Sequence, residues 1–397
     1  MLEPTRHSPD ARSRPEVDLL LSCARTQVTP EISDRIRTSV QKRVDWIELI
    51  RLGMRHDVMP LLYRNLQQIC PDSVPVNILG PLGARYREQA KEAQRRAVEL
   101  VRVVSLFEEQ GILAVPYKGP LLAERLYGDL SLRGFGDLDI MILERDVPRA
   151  KELTQLLGYE VMFLDDTVQL AEHVLANREL IFSHPSNGTQ LELHWRFALQ
   201  SLCVKDDPGR FLQHFERIGL RGTEVLSLSL EVYLLILSLH ATKHKWRQLK
   251  LICDIAEILG HKNVDWNYVI READDLGLER MLAVGVLLAE DPLEATIPAE
   301  LARRLQIDRT ARTLASQIRR GLFKEPDENW TAHADFCFQI KIRERLQDRA
   351  SMLYRNLPSI LAPNERDQRF LSIPEQLSSL YYFVKPIRWT WEKMNSR

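Results

Sequence analysis

Three acidic side chains carry the strongest chemical signal in this sequence. Asp137 and Asp139 stand two residues apart in Gly134-Phe135-Gly136-Asp137-Leu138-Asp139-Ile140-Met141-Ile142, and Glu192 stands in Leu191-Glu192-Leu193-His194-Trp195. Side chains alternate faces along a strand, so Asp137 and Asp139 project together while Leu138, Ile140 and Ile142 point the other way. Glu192 and His194 likewise share a face, opposite Leu191, Leu193 and Trp195. Two carboxylates on one sheet face repel unless solvent or a cation compensates them. Mg²⁺ (or Mn²⁺) suits that task, because it takes oxygen ligands and bridges carboxylates to substrate phosphates. If the two strands are neighbours, Glu192 completes a cluster able to hold two metal ions. The plainer alternative is that Asp-x-Asp is the wet face of a half-exposed strand.

Cationic and polar residues surround these acids in the sequence. Lys118 and Gly119, in Tyr117-Lys118-Gly119-Pro120, suit a turn that approaches phosphate at the start of a helix, and Pro120 is tolerated in a first helical turn. Lys118 is alternatively an ion-pair partner within the cluster. Arg133 precedes the Asp-x-Asp strand and is a candidate for the triphosphate, with a structural salt bridge as the alternative. Tyr127 is a candidate for base stacking or for core packing. His194 either orients Glu192 or touches substrate. His240 and His244 lie four apart on one helix face, but the segment lacks the glutamate of a His-Glu-x-x-His zinc site and no third ligand is indicated. Lys243, His244 and Arg247 are instead expected to form a basic rim facing the nucleotide, or a solvated basic face. Asn187-Gly188-Thr189 is formally a glycosylation sequon, better explained as a hairpin turn.

The elements that must position these residues follow from periodicity. Helical spacing runs from Glu16 to Gln110, with a long helix from Leu82 and Gly111 ending it. Ile112–Tyr117 then reads as a strand, Pro120–Tyr127 as a helix, Leu138–Leu143 as a strand, Val147–Leu157 as a helix, and Tyr159–Leu164 as strand-like. Leu180–Ser183 and Gln190–Phe197 flank Asn187-Gly188, a hairpin signal whose two turn residues tolerate positive φ. From Thr223 onward nearly everything reads as helix, with Leu228–His244, Leu249–Leu259, Trp266–Leu276 and Leu278–Leu288 in succession and prolines, Pro292 among them, as separators. The fold class is therefore α+β and mostly helical, with a small mixed sheet between an N-terminal helical segment and a C-terminal helical domain. The expected divisions are a disordered tail over 1–15, a helical region over 16–110, an α/β core over 111–222 and a helical domain over 223–397.

Bulk properties bound the function. The chain has 397 residues, enough for two or three domains, with a net charge of −1. That balance offers no global basic field for nucleic acid. The five cysteines show no CxxC pair, which fits reduced thiols. Without an apolar signal segment or a long apolar span, the expected location is cytoplasmic.

Lys118-Gly119, Tyr127, Arg133, Asp137-Leu138-Asp139-Ile140 and Glu192-Leu193-His194-Trp195 together resemble the uncharacterised bacterial nucleotidyltransferase family of the polymerase-β-like superfamily. The resemblance extends to His240–Leu249 with Asp254, and more weakly to Val58–Tyr63. It implies that Asp137, Asp139 and Glu192 are catalytic and hold metal. Lys118, Gly119, Arg133, Tyr127, His194, Lys243 and His244 would then contact the nucleotide. The implied reaction moves a nucleoside monophosphate, AMP by preference, from a nucleoside triphosphate (ATP) to a small-molecule, peptide or protein acceptor, releasing pyrophosphate. Two alternatives stay open: a non-catalytic nucleotide- or peptide-binding module, and an RNA-directed nucleotidyltransferase or toxin. The sequence departs from the superfamily at Pro120, where Gly or Ser commonly stands, and in its longer spacing from Gly119 to Asp137.

Overall fold

The computed structural model describes residues 14–162, 178–197, 208–305, 309–324 and 332–361, with a few single positions besides. The expected tail lies outside them up to residue 13, and Pro15 already opens the first helix. Four helices begin the chain: α1 (Pro15–Cys23), α2 (Pro30–Val40), α3 (Trp46–Arg55) and α4 (Met59–Ile69). Asp45 starts α3 by accepting hydrogen bonds from the Ile47 and Glu48 amides, the usual way an N-cap side chain satisfies free N–H groups. The long α5 (Val76–Glu109) carries Pro81 in its second turn, so it begins six residues before the Leu82 start read from periodicity.

The sheet follows α5. Strand β1 (Val115–Pro116) leads through α6 (Gly119–Tyr127) to β2 (Asp137–Met141), then α7 (Val147–Leu156), β3 (Glu160–Val161), β4 (Glu179–Ser183) and β5 (Gln190–His194). The spatial order is β1-β2-β5-β4-β3, with β2 and β5 parallel and the other pairs antiparallel. The mixed sheet is thus present. The turn at Asn187-Gly188 differs from the two-residue form, because only Gly188 has positive φ, at 68°. His184 and Thr189 close a longer loop there, and the Asn187 side chain caps the Thr189 amide at 2.9 Å.

One stretch departs from the helical reading. Strands β6 (Phe215–Leu220) and β7 (Thr223–Leu228) pair as a separate antiparallel hairpin. Arg221 and Gly222 turn it with φ of 53° and 81°, the left-handed pair that a tight hairpin requires. Thr223 therefore opens a strand, and helix resumes at α8 (Leu230–Lys243), followed by α9 (Leu249–Leu259), α10 (Trp266–Leu276) and α11 (Glu279–Leu293). Pro292 sits inside the last turn of α11 rather than separating helices. Then come α12 (Ala299–Leu305), α13 (Arg309–Leu322), α14 (Ala332–Lys341) and α15 (Leu346–Leu361). No helix among the described residues is long and apolar enough to cross a membrane.

Two apolar clusters hold these layers. Ala97, Leu100 and Val104 of α5 and Leu153 of α7 cover the sheet face formed by Leu138, Ile140, Leu191, Leu193 and Phe182. The larger cluster unites N-terminal residues such as Leu20, Leu52 and Leu62 with Leu234, Ile252 and Leu282 of the later helices. Helix α8 is apolar on nearly all sides and correspondingly buried, as expected of a central helix. Leu122, Leu126 and Met141 belong to this second cluster, so it packs against the side of the sheet that carries the acids.

Candidate active site

Register brings the acids together. Asp139 lies directly opposite Glu192 across the parallel β2–β5 pair, and Asp137 lies opposite Gln190. His194 pairs across β4 with Glu179, which puts a fourth carboxylate on the same face. The adjacent apolar positions Leu138, Ile140, Leu191 and Leu193 are fully buried, so a one-residue slip would drive the acids into the core. His194 sits amid the cluster: Nε2 lies 3.1 Å from Asp139 Oδ1 and 3.2 Å from Glu192 Oε2, and Nδ1 lies 3.3 Å from Glu179 Oε2. Burial pushes the imidazole pKa down, but its hydrogen bonds to Asp139 and Glu192 outweigh that and raise it. Protonated, the ring can donate from both nitrogens; neutral, it keeps one lone pair free for a metal.

Lys118 supplies the other cation. Its Nζ donates to Asp139 Oδ1 at 2.6 Å. Burial would raise the Asp139 pKa, yet Lys118 and His194 hold it well below the usual carboxylate range. Asp137, half-buried beside it, is pushed up to about 6 by burial and by Asp139 and Glu192. Gly119 opens α6 with φ +60°, and a Cβ there would stand 2.9 Å from the Asp137 carbonyl oxygen. Glycine is required on both counts, and the helix start is thereby packed onto the acid strand. Among the described residues no side chain caps α6, although Gly119 to Ala123 are all buried. The free amides of that first turn have no side-chain acceptor.

The donor set suits a divalent cation. Asp139, Glu192 and His194 each offer an atom within 4.8 Å of the others. With every acid ionised and His194 protonated, the four acids Asp137, Asp139, Glu179 and Glu192 exceed Lys118 and His194 by two negative charges. An excess of two is the charge one divalent ion neutralises.

The family described as "Uncharacterised nucleotidyltransferase" matches residues 42–294, well over half of the chain. The chain belongs to this family. Nucleotidyl transfer is accordingly its class of activity, and the match takes in the acid strands, α6 and the helices from α3 to α11. No curated protein and no solved structure matches it.

Within this nucleotidyltransferase two of the expected nucleotide contacts are engaged elsewhere. Arg133 donates from Nε and Nη2 to the two Asp254 oxygens at 2.8 and 2.9 Å, and the pair is buried. Burial would lower the arginine pKa, and Asp254 raises it instead. The structural salt bridge is therefore the arrangement found, and the guanidinium faces α9 rather than a triphosphate. Tyr127 takes its core-packing alternative: its ring is in the core and its hydroxyl donates to Asp254 at 2.7 Å. Lys243 and His244 end α8, and His244 contacts the His240 ring at 4.6 Å between centroids. His244 is pushed down to about 4 by desolvation and by Lys243, Lys118 and Lys250. His240 is depressed by burial and Lys118, with Asp139 opposing. Among the described residues the two histidines join no group of three metal ligands.

Three site residues escape a reading of the sequence. Glu179 opens β4, one residue before the apolar run read from the sequence, and declares itself only through pairing with His194. His240 stands out in sequence only as a zinc candidate, while its neutral ring near Lys118 depends on the fold. Asp254 stands in the segment resembling the family's helical signature, but nothing local names Arg133 as its partner.

Proposed function

We propose that the protein transfers a nucleoside monophosphate from a nucleoside triphosphate, ATP by preference, to an acceptor, and that Asp137, Asp139 and Glu192 are its catalytic acids on a polymerase-β-like core. The observation that carries this reading is the register of Asp139 with Glu192 on adjacent parallel strands, next to a buried, uncapped helix start. Asp137, Asp139 and Glu192 would hold Mg²⁺ or Mn²⁺. When bound, the ion supplies charge neutralisation of the triphosphate and acidifies the acceptor.

The chain's own groups account for the remaining steps. Free amides at the start of α6, together with Lys118, offer a positive end to phosphate oxygens. Pro120 removes one amide from that set, but Gly119 and Leu121 keep theirs. The acceptor oxygen attacks the α-phosphorus, the bond from that phosphorus to the bridging oxygen breaks, and pyrophosphate departs with the electron pair. Glu192, half-buried at the cluster's edge, is the group placed to accept the acceptor's proton. His194 fixes the orientation of Asp139, Glu192 and Glu179 through its two nitrogens, so alignment and charge carry most of the catalysis. The divisions near residues 111 and 223 have a functional sense in this scheme: the core performs transfer, and the helices beyond it choose the acceptor and exclude water.

Pyrophosphate release in the presence of ATP, GTP, CTP or UTP, each with Mg²⁺ and with Mn²⁺, tests the reading. Asp139→Asn is expected to lower release by about 100- to 1,000-fold, the scale for removing a group that stabilises transition-state charge. Release that is indifferent to chelator, or unchanged in this variant, would sink the assignment.

A further inference from the structure

A second concave site lies away from the acids, against the turn that joins α8 to α9. Lys245 to Gln248 form one wall of a cavity of about 690 Å³, and α13 and α14 form much of the rest. That volume is in the range that holds a small organic ligand, roughly 300–1,000 Å³. Trp246, Leu314, Ile318, Leu322 and Phe338 give it an apolar lining. Arg55, Lys245, Arg247, Lys324 and Lys341 supply five cations, and among the described residues no acidic side chain lines it. Lys245 is paired with Asp335 at 2.6 Å. Lys324 and Lys341 are exposed and form no ion pair among the described residues.

The wall itself is under constraint. Lys245 and Trp246 have consecutive positive φ values of 57° and 56°, a conformation that costs side-chain-bearing residues on the order of 1–3 kcal/mol each. Packing enforces it, since the Trp246 ring lies where a Cβ on Gly285 would be only 2.5 Å away. The indole is wholly buried, and its Nε1 has no hydrogen-bond partner among the described residues. A buried donor without an acceptor is uncommon and calls for a reason.

We propose that this cavity binds an amphiphilic anion, a small molecule with a phosphate or carboxylate at one end and an aliphatic or aromatic body. The apolar lining takes the body, and Lys324 and Lys341 take the charge. The ligand is a free molecule, because a cavity walled by three segments of one chain encloses a single body, not the face of a membrane. Nothing in this assignment depends on nucleotidyl transfer.

Isothermal titration of the full-length protein with octyl phosphate below its micelle concentration provides the test. Octyl phosphate is expected to bind at least about tenfold more tightly than 1-octanol, while octyltrimethylammonium does not bind. The double variant Lys324→Glu/Lys341→Glu changes only exposed side chains and is expected to weaken octyl phosphate by at least about tenfold. Ile318→Trp, which fills the floor, is expected to abolish binding, with circular dichroism confirming the fold. Asp139→Asn is expected to bind octyl phosphate as the unaltered protein does, which separates this site from the catalytic reading. Equal affinity for octanol, retained affinity in the charge-reversed variant, or association only with phosphatidylglycerol vesicles and not with the monomer would each overturn the proposal.

Discussion

Asp137 shows how a single side chain trades stability for chemistry. Its pKa rises from 3.8 to about 6, chiefly through burial and then through Asp139. The folded protein therefore keeps a proton between about pH 4 and pH 6 that the unfolded chain has released. Stability of the cation-free protein falls as pH climbs through that window and stays lower above it. Asp137→Asn removes the unfavourable ionisation, so in chelator at pH 8 the variant should be more stable, by at most about 3 kcal/mol for a shift of two units. The same substitution should abolish nucleotidyl transfer. Urea melts at pH 4.5 and pH 8 measure the first effect; equal stability of the two proteins at pH 8 would refute the electrostatic account. Asp137, Asp139 and Glu192 are legible in the sequence because strand alternation is a strictly local rule. Glu179 and His240 are not, because each gains its neighbours from pairing or packing across many residues.

At the level of elements, α6 is aligned on the acid strand by two contacts that differ in kind. A Cβ on Gly119 would meet the Asp137 carbonyl oxygen at 2.9 Å, and its φ of +60° is strained for any residue with a Cβ. Gly119→Ala should therefore cost about 1–2 kcal/mol for the left-handed backbone alone, and more as β2 shifts. Gly321→Ala, inside α13 with nothing within 4 Å, should instead stabilise by up to about 1 kcal/mol. Thermal melts of the pair check this; a Gly119→Ala protein as stable as the parent would show the contact to be relaxed. The other contact is the Arg133–Asp254–Tyr127 triad, which ties α6 and the loop before β2 to α9. Asp254→Leu strands a buried guanidinium and should cost about 3–5 kcal/mol, whereas Arg133→Met with Asp254→Leu should recover most of that loss. A double variant no better than the single one would argue against uncompensated charge as the cause. Most helices are legible from apolar spacing, and α9 and α10 have the boundaries read from it. The β6–β7 hairpin is not, since Phe215–Leu220 lacks clean alternation and Arg221 disguises a left-handed turn that an Asn would have announced.

Across the whole molecule, the α/β core does not complete its own interior. Its sheet buries one face against α5 and α7, but Tyr117, Leu122, Leu126, Tyr127 and Met141 are buried in the cluster built by the flanking helices. His56 makes the helical layer continuous, accepting the Leu249 amide at 3.2 Å through Nδ1, while the neighbouring Lys250 pairs with Asp57. Burial crosses both expected divisions, near 111 and 223, and the β6–β7 hairpin spans the second. A fragment spanning residues 111–222 would lose α5, expose those five side chains, and leave Arg133 without Asp254. Each large apolar side chain uncovered forfeits roughly 1.5–3 kcal/mol, and a domain's net stability is only about 5–15 kcal/mol. The fragment should therefore lack a cooperative thermal transition and bind a hydrophobic dye, whereas the full chain should unfold with the acid site and the helical cluster lost together. A fragment that melts cooperatively and retains metal-dependent nucleotide binding would show that the acids need only their own sheet, and the role of the surrounding helices would then shrink to acceptor choice.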